Sequence, residues 1–89
     1  MIRIVLVDDH ALVRSGFRMI LAQEADMEIV GEAANGEDAL KLARQLAPDV
    51  VLMDVHLPGI SGLEATERLA RAGATPRVIV VTVHDEQPF

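Results

Sequence analysis

The segment Val50-Val51-Leu52-Met53-Asp54-Val55-His56-Leu57-Pro58-Gly59 joins an apolar run to a carboxylate and then to a chain breaker. Consecutive apolar and β-branched residues are typical of a strand that is buried on both faces of a parallel sheet. The run ends at Asp54, and the Pro-Gly pair favours a turn soon after it. We therefore predict a buried central strand over residues 49–54 whose last residue carries a carboxyl group.

Strand-like and helix-like patterns alternate on both sides of this segment. Three further strands are predicted at residues 2–7, 27–34 and 77–82. Apolar spacing predicts a first helix over residues 12–22. Asn35 is suited to cap a second helix that ends before Pro48, and Ser61 opens a capping box for a third that runs to about residue 72. The alternation predicts one α/β domain, residues 1–89, with a doubly wound parallel sheet and right-handed crossovers.

Composition indicates a small acidic globular domain. The chain has 89 residues, a net charge of −6 and no cysteine, which excludes disulfides and thiolate metal sites. Its eight Lys and Arg residues are spread thinly, so nucleic-acid binding by these residues themselves is not expected. The apolar run near the amino terminus is too short for a signal peptide or a membrane span, and we expect a cytoplasmic chain with no membrane partner.

Polar residues collect directly after three of the predicted strands. They are Asp8, Asp9 and His10 after the first strand, Asp54 and His56 after the third, and Thr82 and His84 after the fourth. The carboxyl ends of parallel strands form the edge at which such sheets bind ligands. Three carboxylates in a small volume favour a divalent cation, and oxygen ligands favour Mg²⁺. The pattern predicts an Mg²⁺ site at which Asp54 attacks a phosphoryl group and Thr82 donates its hydroxyl to a phosphoryl oxygen.

Other interpretations of the same residues remain open. Asp9 can cap the first helix, and Thr82 can simply finish its strand. His10, His56 and His84 allow a mixed transition-metal site. A small Mg²⁺-dependent aspartyl phosphohydrolase is a further alternative, weakened because the position two residues after Asp54 holds histidine where such enzymes typically carry a second Asp. A non-phosphorylated interaction module with an unused pocket is the third alternative.

Taken together, the motifs resemble the receiver domain of bacterial two-component response regulators. They are the Asp8-Asp9 pair, Asp54 after its apolar strand, the Pro58-Gly59 and Gly62 positions, and Thr82 after Val78-Ile79-Val80-Val81. The segments at residues 7–14, 57–65 and 81–89 are similar to the NarL/FixJ class and, within it, to the GacA/UvrY group. The resemblance implies a flavodoxin-like (CheY-like) fold with strand order 2-1-3-4.

The resemblance also implies a role for each matched residue. Asp54 is the expected phosphoacceptor for a histidine kinase, so the chain is a regulatory protein and not an enzyme, except for self-dephosphorylation. Asp9, Asp54 and the backbone carbonyl of His56 are expected to bind Mg²⁺ directly, and Asp8 through water. Thr82 is the expected switch hydroxyl that biases a dimerisation surface after phosphorylation.

The family fold continues beyond a fourth strand, through a helix, a lysine-bearing fifth strand and a last helix. We therefore expect the chain to be truncated, with weak Mg²⁺ binding and poor labelling of Asp54 by acetyl phosphate. DNA contact is expected only through an absent carboxyl-terminal domain. The fourth strand, residues 77–82, is expected to be an exposed edge through which the chain self-associates, unless copies exchange an element instead.

Overall fold

The computed structural model describes residues 1–73 and 77–81, which form four strands and three helices. In chain order they are β1 (Ile2–Val7), α1 (Ala11–Leu21), β2 (Met27–Ala33), α2 (Gly36–Leu46), β3 (Val50–Asp54), α3 (Gly62–Arg71) and β4 (Arg77–Val81). All three strand pairings are parallel, and the strand order is β2-β1-β3-β4. The predicted α/β class and strand order are confirmed. Thr82 and His84 lie outside the described residues.

One face of the sheet packs against α2 and α3. Val5, Val7, Val51 and Met53 point to this face and are at most 2% exposed. They form one core cluster with small and branched side chains of the two helices, namely Ala39, Leu40, Ala43, Ala65 and Leu69. The apolar spacing that predicted these helices therefore reflects their burial against the centre of the sheet.

The opposite face carries α1. Side chains alternate along a strand, so Leu6 points away from the core cluster, and Phe17 of α1 lies beside Leu6 and Leu52 around a small cavity. Unlike α2 and α3, α1 has no buried residue. None of the helices in the described part of the chain combines the length and the apolar character of a membrane-spanning segment.

The pairing of β1 with β2 contains one irregularity. Ile4 pairs with Ile29, but the next residue, Val5, pairs with Gly31, so that Val30 is an extra residue in β2. Val30 packs against the core cluster, and a side chain at Gly31 would meet Leu42 and Leu46 of α2. Two consecutive residues of β2 therefore face α2, as in a β-bulge.

Two of the helix starts match the sequence prediction. The Asn35 side chain accepts a hydrogen bond from the Asp38 amide at 2.8 Å, and Ser61 Oγ accepts one from the Glu64 amide at 3.1 Å. The start of α1 is different, because its N-cap residue is His10, and no side-chain capping bond forms there. Asp9 is therefore not the cap of the first helix.

Candidate functional site

The candidate site lies where β1 and β3 end side by side. Val7 pairs with Met53, so Asp8, the residue after β1, comes next to Asp54, the last residue of β3. Asp8 is 5% exposed and Asp54 4%, and they are the only buried charged residues in the described part of the chain. Burial of two acidic groups at one edge of the sheet is costly unless each finds hydrogen bonds or a cation.

Asp9 and His10 complete a four-residue cluster with these two carboxylates. Asp8, Asp9, His10 and Asp54 each offer one ligand atom, and these atoms all lie within 4.8 Å of one another. The structure thus brings together the three carboxylates that the sequence predicted to meet. The donor set is rich in oxygen and contains no thiolate, which fits a hard divalent cation.

Asp8 is held by hydrogen bonds on both its backbone and its side chain. Its amide donates to the Ala33 carbonyl of β2 at 3.0 Å, and its carboxylate Oδ1 accepts from the His10 amide at 2.8 Å. The His10 ring brings Nδ1 to 3.2 Å from the same oxygen and to 3.0 Å from Asp9 Oδ1. The segment after β1 is therefore locally fixed, and its histidine ring contacts both neighbouring carboxylates.

Asp54 is held in place by the segment that follows it. Its Oδ1 accepts a hydrogen bond from the His56 amide at 3.1 Å, which restricts rotation of the carboxyl group. The Gly62 amide donates to the Val55 carbonyl at 3.2 Å, so the loop of residues 55–61 closes back onto the end of β3. A Cβ atom at Gly62 would collide with the Asp54 carbonyl oxygen, and glycine is required there for this close approach.

The loop also rests on the start of α2. A Cβ atom at Gly36 would collide with the side chain of Ile60. Gly59 has a positive φ of 76° and lies against the carboxylate of Glu37. Pro58 is exposed. The loop over the site is thus shaped by three close approaches, at Gly36, Gly59 and Gly62.

The histidines take different positions. His10 joins the carboxylate cluster, whereas His56 is exposed and is not among the residues of that cluster. His84 and Thr82 fall outside the described residues, so the three-histidine site and the switch hydroxyl remain predictions.

Sequence reasoning missed the contribution of Arg14 and Glu32. Arg14 Nη1 donates to the Asp8 carbonyl oxygen at 2.5 Å, and Arg14 Nε donates to Glu32 Oε1 at 3.1 Å. Arg14 follows His10 by one helical turn, and the Arg14 amide donates to the His10 carbonyl. The spacing from His10 places Arg14 on the first turn of α1. Its partner Glu32 lies on β2, and the two residues meet only in the folded chain.

Comparisons with known proteins identify relatives of this chain. The family model of the response regulator receiver domain matches residues 4–89. GacA of Pseudomonas aeruginosa is 56% identical over the whole chain, which covers 42% of that protein, and UvrY of Escherichia coli K12 is 54% identical with 41% of its length covered. The chain therefore spans less than half the length of these curated relatives.

A solved structure shows the same fold. The signal receiver domain of the Mycobacterium tuberculosis response regulator described as NarL superposes with a TM-score of 0.89 at 35% identity, over 96% of this chain and 68% of that one. The resemblance to the GacA/UvrY group and to the NarL/FixJ class, inferred from the motifs, is confirmed. The chain belongs to the response regulator receiver domain family.

Proposed function

We propose that this chain is a phosphoacceptor that takes a phosphoryl group from a histidine kinase onto Asp54. The observation that carries the proposal is the burial of Asp54 among ligand atoms of Asp8, Asp9 and His10 that all lie within 4.8 Å. A carboxylate in such a cluster becomes a useful nucleophile toward phosphorus once a cation balances the surrounding negative charge. The relatives GacA and UvrY are response regulators, which supports a regulatory and not an enzymatic role.

The transfer forms one bond and breaks another. An oxygen of the Asp54 carboxylate attacks the phosphorus of a phosphohistidine on the kinase, and the phosphorus–nitrogen bond breaks. The imidazole nitrogen leaves with the electron pair and takes up a proton. The hydrogen bond from the His56 amide to Asp54 Oδ1 keeps the carboxyl group oriented during the attack.

The donor set suits Mg²⁺ as the cation. We propose that Asp9, Asp54 and the backbone carbonyl of His56 hold it directly and that Asp8 acts through water. When bound, Mg²⁺ neutralises the carboxylates and the phosphoryl oxygens, so that an anionic nucleophile can approach an anionic group. Thr82 is proposed as the hydroxyl that contacts the phosphoryl group and reports its presence to a dimerisation surface.

Acetyl phosphate and Mg²⁺ provide a direct test, read by the intact mass of the chain. The expected result is a phosphoryl adduct of low yield that disappears in Asp54→Asn and on removal of Mg²⁺. Asp26→Asn is the matched control, because Asp26 is an exposed carboxylate outside the cluster. Release of inorganic phosphate over many turnovers would instead identify the phosphohydrolase, and an unchanged mass would identify an interaction module.

Further partners are proposed from the same family membership. DNA contact is proposed only through a domain outside these residues, since the chain covers 42% of GacA. The cytoplasm is the proposed compartment, as expected for a substrate of histidine kinases.

We also propose that the chain self-associates through β4, or by exchange of an element. β4 is one of the two outer strands of the described sheet, and its sequence, Arg77-Val78-Ile79-Val80-Val81, is rich in β-branched residues. Such an edge favours pairing with another strand. Sedimentation across a range of protein concentrations tests this proposal: a mass that rises with concentration supports it, and a monomer throughout contradicts it.

A further inference from the structure

Arg14 connects the acidic cluster to β2, an outer strand of the sheet. Its side chain is 20% exposed, on the first turn of α1. Nη1 donates to the backbone carbonyl of Asp8 at 2.5 Å, while Nε donates to Glu32 Oε1 at 3.1 Å. The guanidinium group is planar, so a bond at Nε fixes the direction in which Nη1 points. Glu32 therefore aims Arg14 at Asp8.

The contact with the Asp8 carbonyl reaches Asp9 through the peptide bond. The carbonyl oxygen of Asp8 and the amide nitrogen of Asp9 belong to one planar unit. The Asp8 amide is already held by the Ala33 carbonyl at 3.0 Å, and Arg14 holds the other end of the residue. Because the amide and the carbonyl of Asp8 are both held, the orientation of the Asp8–Asp9 peptide plane is fixed. The Cα atom that carries the Asp9 side chain lies in this plane.

Glu32 also accepts hydrogen bonds from a second arginine, Arg18. Arg18 Nη1 lies 2.7 Å from both Glu32 Oε1 and Glu32 Oε2. Arg18 is 47% exposed, and its other side-chain hydrogen bond goes to Ser15 Oγ and not to the acidic cluster. Arg14 and Arg18 thus carry the same charge on the same helix and share one partner, but only Arg14 touches Asp8.

We propose that Arg14, aimed by Glu32, is a positioning residue for the divalent-cation site. It fixes the Asp8–Asp9 peptide so that the Asp9 carboxylate stays within reach of Asp54. This inference rests on the proposed binding of Mg²⁺ at the cluster. It adds two residues, one on α1 and one on β2, to the set that determines the affinity of the site.

The charge of Arg14 makes the proposal testable by the sign of the effect. A cation near an Mg²⁺ site repels the metal, so removal of the charge alone would tighten Mg²⁺ binding. Loss of a group that orients a metal ligand weakens binding, typically by about tenfold or more. The two effects have opposite directions, and an Arg→Gln substitution distinguishes them.

The experiment compares Arg14→Gln with Arg18→Gln in the 89-residue chain. Mg²⁺ is titrated at constant ionic strength, and the dissociation constant is taken from amide shifts in ¹⁵N–¹H spectra. These spectra also show whether each variant is folded. We expect Arg14→Gln to raise the dissociation constant about tenfold. Arg18→Gln is expected to change it by much less than tenfold, because Arg14 keeps its own bonds to Glu32 and to Asp8.

A double-mutant cycle of Arg14→Gln and Glu32→Gln tests whether Glu32 acts on the cation site by orienting Arg14. Glu32→Gln should weaken Mg²⁺ binding in the wild-type background and have little further effect beside Arg14→Gln, because its influence passes through Arg14. Equal effects in both backgrounds would overturn this step. If Arg14→Gln does not fold, Arg14→Lys takes its place, since lysine keeps the charge but lacks the planar group whose Nε and Nη1 bond Glu32 and Asp8 in fixed directions. An affinity equal to wild type in Arg14→Lys would then overturn the proposal.

The possible failures are distinguishable. A wild-type chain that does not bind Mg²⁺ overturns the proposed cation site and this inference with it. A wild-type chain that binds Mg²⁺, together with an Arg14→Gln variant that binds equally well or more tightly, overturns the inference alone.

Discussion

Helices α3 and α1 lie on opposite faces of one sheet and are attached to it by different forces. α3 buries Gly62, Ala65 and Leu69 against the sheet. α1 buries no residue, and three of the exposed large apolar side chains, Leu12, Met19 and Ile20, are on it. Among the described residues, Arg14 of α1 donates hydrogen bonds to Glu32 and to the Asp8 carbonyl, and Arg18 donates to Glu32.

The two faces of the sheet therefore contribute differently to stability and to the acidic cluster. Burial of apolar area gives α3 a stabilising role that does not depend on direction. Hydrogen bonds to a carbonyl and a carboxylate are directional, and they connect α1 to the residues of the acidic cluster. Substitutions on α3 should therefore change stability, whereas those on α1 should change the site more than the stability.

The largest effect is expected from Leu69→Ala on α3. Leu69 is 2% exposed and part of the core cluster, and its truncation should lower the free energy of unfolding by about 3 kcal/mol. Leu63→Ala is the matched control on the same helix, because Leu63 is 58% exposed and should cost less than about 0.5 kcal/mol. Urea unfolding followed by far-ultraviolet circular dichroism measures both values. Similar losses for the two variants would contradict the burial assigned to α3.

A glycine-to-alanine pair should give effects of opposite sign on the two helices. Gly62→Ala places a methyl group against the Asp54 carbonyl and should destabilise the chain by about 2 kcal/mol. Gly16→Ala on α1 meets nothing within 4 Å and should stabilise the chain by about 0.5–1 kcal/mol through helix propensity. Urea midpoints of the two variants against wild type test this. A stable Gly62→Ala variant would show that the end of β3 can move away from α3.

The smallest effect is expected at a helix start. Ser61 caps α3, and Ser61→Ala should lower the free energy of unfolding by about 1 kcal/mol. Ser15→Ala on α1 is the control, since Ser15 accepts only a bond from the exposed Arg18 and caps no helix. Thermal unfolding of both variants gives the comparison, and an equal loss in Ser15→Ala would remove the distinction between the two helices.

Local patterns in the sequence predict much of this fold and part of the site. Continuous apolar runs identify the strands, and a helix cap such as Asn35 requires only residues three positions apart. The meeting of Asp8, Asp9 and Asp54 follows from the rule that parallel strands end at one edge. These inferences hold because each depends on neighbouring residues or on a general property of parallel sheets.

The contribution of Arg14 could not be predicted in this way. Its partner Glu32 is 18 residues away on another element, and the pair forms only when β2 has the correct register. The Met27–Ala33 pattern does not reveal where an extra residue enters the strand. The position of the His10 ring between two carboxylates is likewise set by the loop conformation and not by the residue type.

The extra residue in β2 has a consequence for evolution by insertion and deletion. Because Val30 adds one residue, Glu32 pairs with Leu6 and shares its side of the sheet, where Arg14 and Arg18 lie. Removal of that residue would leave Glu32 opposite Leu6, because Gly31 would then follow Ile29 directly and still pair with Val5. A regular pairing that kept Val30, by contrast, would place Glu32 opposite Val7 and turn its charge toward the apolar core. The bulge thus absorbs the extra residue and keeps Glu32 on the side of the sheet where Arg14 lies. Loss of Val30 should therefore preserve the pairing of Glu32 with Arg14 and remove only the contact that Val30 makes with the core cluster.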